Sequence, residues 1–142
     1  MNYKRAIGIG FVAYLASFAF GIVVALLFGV NFETTAEVPR IVWVIGLIAQ
    51  IVIGLLFAYW YFSSKKIKKY GVLEGLYLGA VFVAVGFLID ALFIIPSIFI
   101  SGAPSDILAY YTNPLFWVSI LLLFLCTMFV ASWFEDLHPS DW

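Results

Sequence analysis

The sequence predicts an all-α integral membrane protein, a bundle of four transmembrane helices, and three observations predict it. The chain is 65% hydrophobic and 11% charged, where a soluble domain is about a quarter charged and under half apolar. Its apolar residues fall into four runs long enough to cross a hydrocarbon core of about 30 Å, which takes about 20 helical residues. Six of its seven Lys and Arg residues lie in two places, ahead of the first run and between the second and third. The runs are continuous rather than alternating, which favours helices over the strands of a barrel.

The first span runs from Ala6 to Gly29 behind Lys4 and Arg5. Its apolar stretch exceeds the roughly 7 to 15 residues of a secretory h-region and no A-x-A-like site follows, so it is read as an uncleaved helix. The second, Ile41 to Phe62, carries Trp43 and Trp60 near its two ends. The third runs from about Val72 to Ile100 and is too long for one straight crossing: the residues from Glu74 to Ser101 would rise about 40 Å. Pro96 removes an intrahelical donor and clashes with the turn before it, so a kink or break is expected there. The fourth, Leu115 to Phe134, repeats the tryptophan pair with Trp117 and Trp133. Each pair is about 25 Å apart along its helix, close to the core thickness.

Cations mark the cytoplasmic side. Lys65, Lys66, Lys68 and Lys69 in SSKKIKKYGV place that connection and the N-terminus inside, while VNFETTAEVPR and GAPSDILAYYTNP, whose sole cation is Arg40, fall outside. Two in-out-in hairpins result, with both termini cytoplasmic in a multi-pass protein; a prokaryotic plasma membrane is the expected setting. Each outer connection ends in a proline just ahead of a tryptophan, PRIVW at Pro39 and PLFW at Pro114, a weak trace of tandem duplication that would leave a parallel repeat. The four lysines are also an expected contact for anionic lipid headgroups.

Lipid supplies no hydrophobic drive between helices, so small residues mark expected contact faces. On the third span Gly71, Gly75, Gly79, Gly86, Asp90 and Ser97 share an arc of about 100°. Gly10, Ser17, Gly21 and Ala25 make a similar stripe on the first span, and Gly46, Gln50 and Gly54 a looser one on the second. Packing within one chain and assembly with another copy or another membrane protein would both use such faces.

Asp90 is the one ionisable residue deep inside a span. A carboxylate there costs about 2.5 to 3.5 kcal/mol on insertion scales and is by default a functional candidate. It lies about 24 Å beyond Glu74 along the helix, in the outer half of the core. Its expected neighbours are Gln50, Tyr14 and Ser17 by depth, and Arg40 as the only cation within reach. Two readings stay open: a proton- or cation-binding carboxylate facing an aqueous cavity, or a structural hydrogen-bonding residue.

Other functions are disfavoured by composition. A net charge of -1 leaves no basic surface for nucleic acid, and the single cysteine, Cys126, gives no disulfide or thiolate cluster. The only histidine, His138, is in the acidic tail with Glu135, Asp136 and Asp141, where a solvated terminus is expected rather than a metal site. No nucleophile-and-base set is present, so neither enzymatic activity nor a cofactor is expected. The sequence therefore leaves two functions in play: a non-enzymatic interaction or structural module of a membrane assembly, and a small proton- or cation-coupled transporter or channel using Asp90.

Overall fold

Among the described residues, four helices long and apolar enough to cross a membrane form the framework of the protein. The computed structural model describes residues 1–29, 39–64, 67, 70–101 and 111–138. Lys65, Lys66, Lys68, Lys69 and most of both outer connections lie outside the described residues, as does Asp141.

Helix α1 spans Tyr3–Leu27 and begins where Asn2 Oδ1 accepts the Arg5 backbone N–H at 3.2 Å, satisfying one of the donors that a helix start leaves unpaired. Helix α2 spans Arg40–Phe62, and Ser63 Oγ then donates to the Trp60 carbonyl at 3.1 Å. Helix α3 spans Val72–Ile89. It starts from Gly71 at φ 122°, a backbone region that penalises any Cβ. Gly71 thus serves the turn into α3 and also lies close to the fifth helix, where a Cβ would come 3.0 Å from the Glu135 carboxylate. Gly71→Ala is expected to cost about 1–3 kcal/mol, read as a lower melting temperature in detergent; an unchanged melting temperature would contradict this.

The regular α-helix of the third span is interrupted in the turn ahead of Pro96. Helix α3 passes into a π-helical stretch, Asp90–Ile94, and then into α4, Ile95–Ser101. The Ile95 N–H donates to the Asp90 carbonyl five residues back, so the turn ahead of the proline is widened. That widening accommodates a ring that would clash with the carbonyl four residues earlier, and Pro96 itself sits in the first turn of α4, where a missing N–H is tolerated. Helix α5, Pro114–Leu137, opens with Asn113 Oδ1 accepting from the Leu115 N–H at 2.9 Å and with proline in its first turn.

Around the bundle the order is α1, α2, α5, α3: α1 packs on α2 and α3, and α5 packs on the same two. Helix α1 runs against α2, since Asn2 meets Tyr61, and along α3, since Met1 meets Glu74 and Tyr14 meets Asp90. Helix α5 runs against α3 and along α2. The parallel partners are therefore neighbours, not diagonal partners, so no two-fold along the bundle axis relates the two hairpins, as a parallel repeat of the kind suggested by PRIVW and PLFW would require.

One end of the bundle is closely packed. Ala6, Ala58, Tyr61, Phe62, Leu78 and Ala131 are nearly inaccessible there, with Phe134 sealing the α2–α5 side. Glycine sets the helix spacing. A Cβ on Gly75 would lie 2.5 Å from the Met128 Cα and the Thr127 carbonyl oxygen, and one on Gly79 would lie 2.7 Å from the Phe124 ring. Gly10 abuts Phe82 and Gly54 abuts Cys126 and Leu123 in the same way. Gly21 and Gly46 do not: both are exposed, and a Cβ on either would meet nothing within 4 Å. In place of a helix contact, both line a cavity at that level.

The outer surface is apolar. Leu27, Ile48, Leu56, Leu73, Leu121 and Phe129 are all exposed. Soluble proteins rarely present such continuous apolar faces, and lipid is the solvent that suits them.

Candidate functional site

The half of the bundle away from the chain termini is hollow. A cavity of about 490 Å³ lies among α1, α2, α3 and α5, and Asp90 stands on its wall. Its volume falls in the range of small-molecule sites, roughly 300–1,000 Å³.

Local sequence explains how the carboxylate is held. Gly86 precedes Asp90 by four residues and shares its helix face. A Cβ on Gly86 would already touch the Tyr14 ring at 3.4 Å, so the glycine leaves the room in which that ring lies. From there the Tyr14 hydroxyl donates to Asp90 Oδ1. The Tyr14 ring is also stacked with Phe18, one turn along α1, with ring centres 6.3 Å apart.

A second tyrosine reaches the same carboxylate from outside the spans. The Tyr111 hydroxyl donates to Asp90 Oδ2 at 2.9 Å. Its position is fixed by Trp117, whose indole N–H donates to the Tyr111 carbonyl at 2.9 Å, and by ring contacts with Phe87 and Phe116 at 6.1 and 5.2 Å. Asp90 thus accepts one hydroxyl on each oxygen, and a carboxylate retains further lone-pair sites beyond these two.

Facing it across the cavity are Ser17 and Gln50, with Ser17 Oγ 3.5 Å from Gln50 Oε1. The Gln50 amide nitrogen makes no hydrogen bond among the described residues. Ser119 also lines the cavity, but its hydroxyl donates to the Phe116 carbonyl at 2.6 Å. The rest of the wall is apolar and rich in aromatic rings: Phe18, Trp43, Phe82, Phe87 and Phe116.

Of the residues that sequence reasoning gathered around Asp90, the structure brings Tyr14 into direct contact and sets Gln50 and Ser17 on the same cavity. Arg40 is not among the residues lining it. It is exposed at the first residue of α2 and makes no ion pair with Asp90 among the described residues, a placement that spares the guanidinium the cost of leaving water. Tyr111 was missed because it lies in a connection, where an aromatic residue reads as an interfacial anchor. Its nearness in sequence to the outer end of the fourth span was the available signal. Trp43, expected as an anchor near the outer end of the second span, also lines the cavity.

A second polar group sits at the packed end. The Met1 ammonium pairs with Glu74 Oε1 at 3.1 Å, the Asn2 N–H donates to the Tyr61 hydroxyl at 2.9 Å, and Arg5 Nη2 donates to the Trp60 carbonyl at 2.6 Å. Glu135 faces Gly71, and the His138 ring is stacked on Tyr70 with centres 5.3 Å apart. Among the described residues no three groups of metal-ligating type converge.

Comparison with known protein families, with curated proteins and with solved structures finds no match for this chain.

Proposed function

We propose that the protein is a small polytopic membrane transporter or channel in which Asp90 binds a proton or cation inside an intramembrane cavity. The carrying observation is the carboxylate on the wall of a cavity of about 490 Å³ in an otherwise apolar bundle. A carboxylate in a span is costly and is by default a functional candidate, and the cavity beside it is large enough to hold a small ligand. A structural hydrogen-bonding residue needs no cavity; a binding site uses both the carboxylate and the space in front of it.

In this reading the four helices span the bilayer with both termini cytoplasmic, the packed end inside and the hollow half toward the outer face. The lysine-rich connection between the second and third spans supports that orientation. The apolar outer faces contact lipid, and Lys65, Lys66, Lys68 and Lys69 contact anionic headgroups.

The interaction-module reading keeps one specific observation in its favour. Asp90 ties α1 to the segment preceding α5 through Tyr14 and Tyr111, as a purely structural clasp would.

Flux separates the two. In liposomes carrying an interior pH dye, wild-type protein is expected to pass protons, or a monovalent cation exchanged for them, well above empty vesicles, and Asp90→Asn to fall to the empty-vesicle level. Equal flux from both proteins, or none from the wild type, would leave the clasp. A membrane-impermeant thiol reagent added to intact cells tests orientation: cysteines placed at Glu37 and Asp106 should react and one at Lys66 should not, and the reverse pattern would overturn it.

A further inference from the structure

One side of the cavity is not closed by helix contact. Gly21 on α1 and Gly46 on α2 both line it, both are exposed, and a Cβ on either would meet nothing within 4 Å. Phe18 and Ile22, on α1 beside Gly21, line it too and are exposed and apolar. Small residues with free space in front of them on both helices make this the side where a visitor meets the least resistance.

What the cavity offers a visitor is one carboxylate set among aromatic faces. Tyr14, Phe18, Trp43, Phe82, Phe87 and Phe116 all contribute to the lining, and among the described residues no basic side chain does. Aromatic faces carry negative potential and attract cations, more strongly when water is excluded. A carboxylate with lone-pair sites beyond those accepting from Tyr14 and Tyr111 supplies the countercharge. An inorganic cation would gain from Asp90 but would find little in the apolar wall to replace its hydration shell. A neutral hydrophobe would gain from the wall and leave Asp90 facing apolar atoms. A ligand joining an apolar body to a single positive charge uses both.

We propose that the cavity binds a hydrophobic organic monocation, an amine or quaternary ammonium with an apolar or aromatic body, and that it enters between α1 and α2 beside Gly21 and Gly46. This rests on the reading of Asp90 as a cation-binding carboxylate and names the kind of cation. The body lies against the aromatic wall and the charge faces Asp90.

The probe is benzyltrimethylammonium, compared with its neutral carbon isostere neopentylbenzene and with benzenesulfonate, by calorimetric titration of the detergent-solubilised full chain. The cation is expected to bind wild-type protein at least about tenfold more tightly than the isostere, the worth of about 1.4 kcal/mol, and benzenesulfonate not to bind. Asp90→Asn is expected to erase that preference. Equal binding of cation and isostere by the wild type would overturn the proposal, showing a hollow that takes lipid tails or any apolar body, and this comparison needs no variant to fold.

Access is tested in vesicles by binding rate. Gly21→Phe and Gly46→Phe are expected to slow uptake of the probe several-fold, whereas Gly8→Phe, equally open but off the cavity, should not. Unchanged uptake in both the Gly21 and Gly46 variants would remove the lateral route. Proton flux that depends on Asp90, with no preference for the organic cation, would sink this inference and leave the proposed function standing. Loss of both would end both.

Discussion

Gly75→Ala is expected to destabilise the bundle by about 3 kcal/mol, at the upper end of overpacking costs. The added methyl would lie 2.5 Å from both the Met128 Cα and the Thr127 carbonyl oxygen, and 2.8 Å from the Met128 nitrogen. All three are backbone atoms of α5, so no side chain can swing aside; the two helices must separate instead. Separation there would disturb Leu78 and Thr127, both fully buried beside the contact. The internal control is Gly21→Ala, which adds the same methyl on a helix face with nothing within 4 Å. In a helix that exchange favours alanine by about 0.5–1 kcal/mol, so its melting temperature should hold or rise. Thermal unfolding of the two variants in one detergent checks the pair. A Gly75→Ala protein as stable as wild type would show that α3 and α5 are not in the close contact described.

Asp90→Ala is the second large effect, and its value lies in comparison with Asp90→Asn. Alanine removes both acceptors at once. The hydroxyls of Tyr14 and Tyr111 lose the partner on which they converge, and a buried hydrogen bond lost without replacement costs about 1–3 kcal/mol, less where another group or water from the cavity takes the place of the carboxylate. Asparagine keeps the shape, retains one acceptor oxygen and offers an N–H₂ that a tyrosine oxygen can accept. Alanine is therefore expected to lower stability by about 2 kcal/mol or more while asparagine changes it little, and both are expected to abolish flux. That divergence separates charge from clasp. If asparagine unfolded the protein as readily as alanine, the ionised group would be holding the bundle together, and the transport reading would lose its main support.

The parts of the fold that depend on one helix at a time were legible in the sequence. Span limits follow from apolar length, and the inward face of the third span followed from Gly75, Gly79 and Asp90 sharing an arc, because helix periodicity is fixed by the backbone. Tyr14 was within reach because depth can be counted at 1.5 Å per residue. What depends on two helices at once was not legible. Nothing in the first two spans distinguishes Gly10, pressed against Phe82, from Gly21, which faces open space; a small residue permits close approach without enforcing it. The order of the helices around the bundle was hidden for the same reason. Tyr111 was invisible because its segment has no periodicity to count along. Pro96 pointed to the interrupted stretch, but the form of the interruption, a widened turn and not a sharp bend, is set by the backbone ahead of it.

The π turn at Asp90–Ile94 has a bearing on any scanning mutagenesis of the third span. One residue more than an α turn holds advances everything beyond it by about 100° around the axis. A single helical wheel drawn from Val72 to Ser101 therefore loses phase at Asp90, and the two stretches must be plotted separately. Up to Ile89, substitutions should alternate in severity with one rhythm; from Ile95 onward the rhythm resumes from a different origin. Deleting one residue between Asp90 and Ile94 would remove the wide turn and leave the residues of α4 on the faces they now occupy, whereas straightening the helix with its full length kept would swing α4 by that angle.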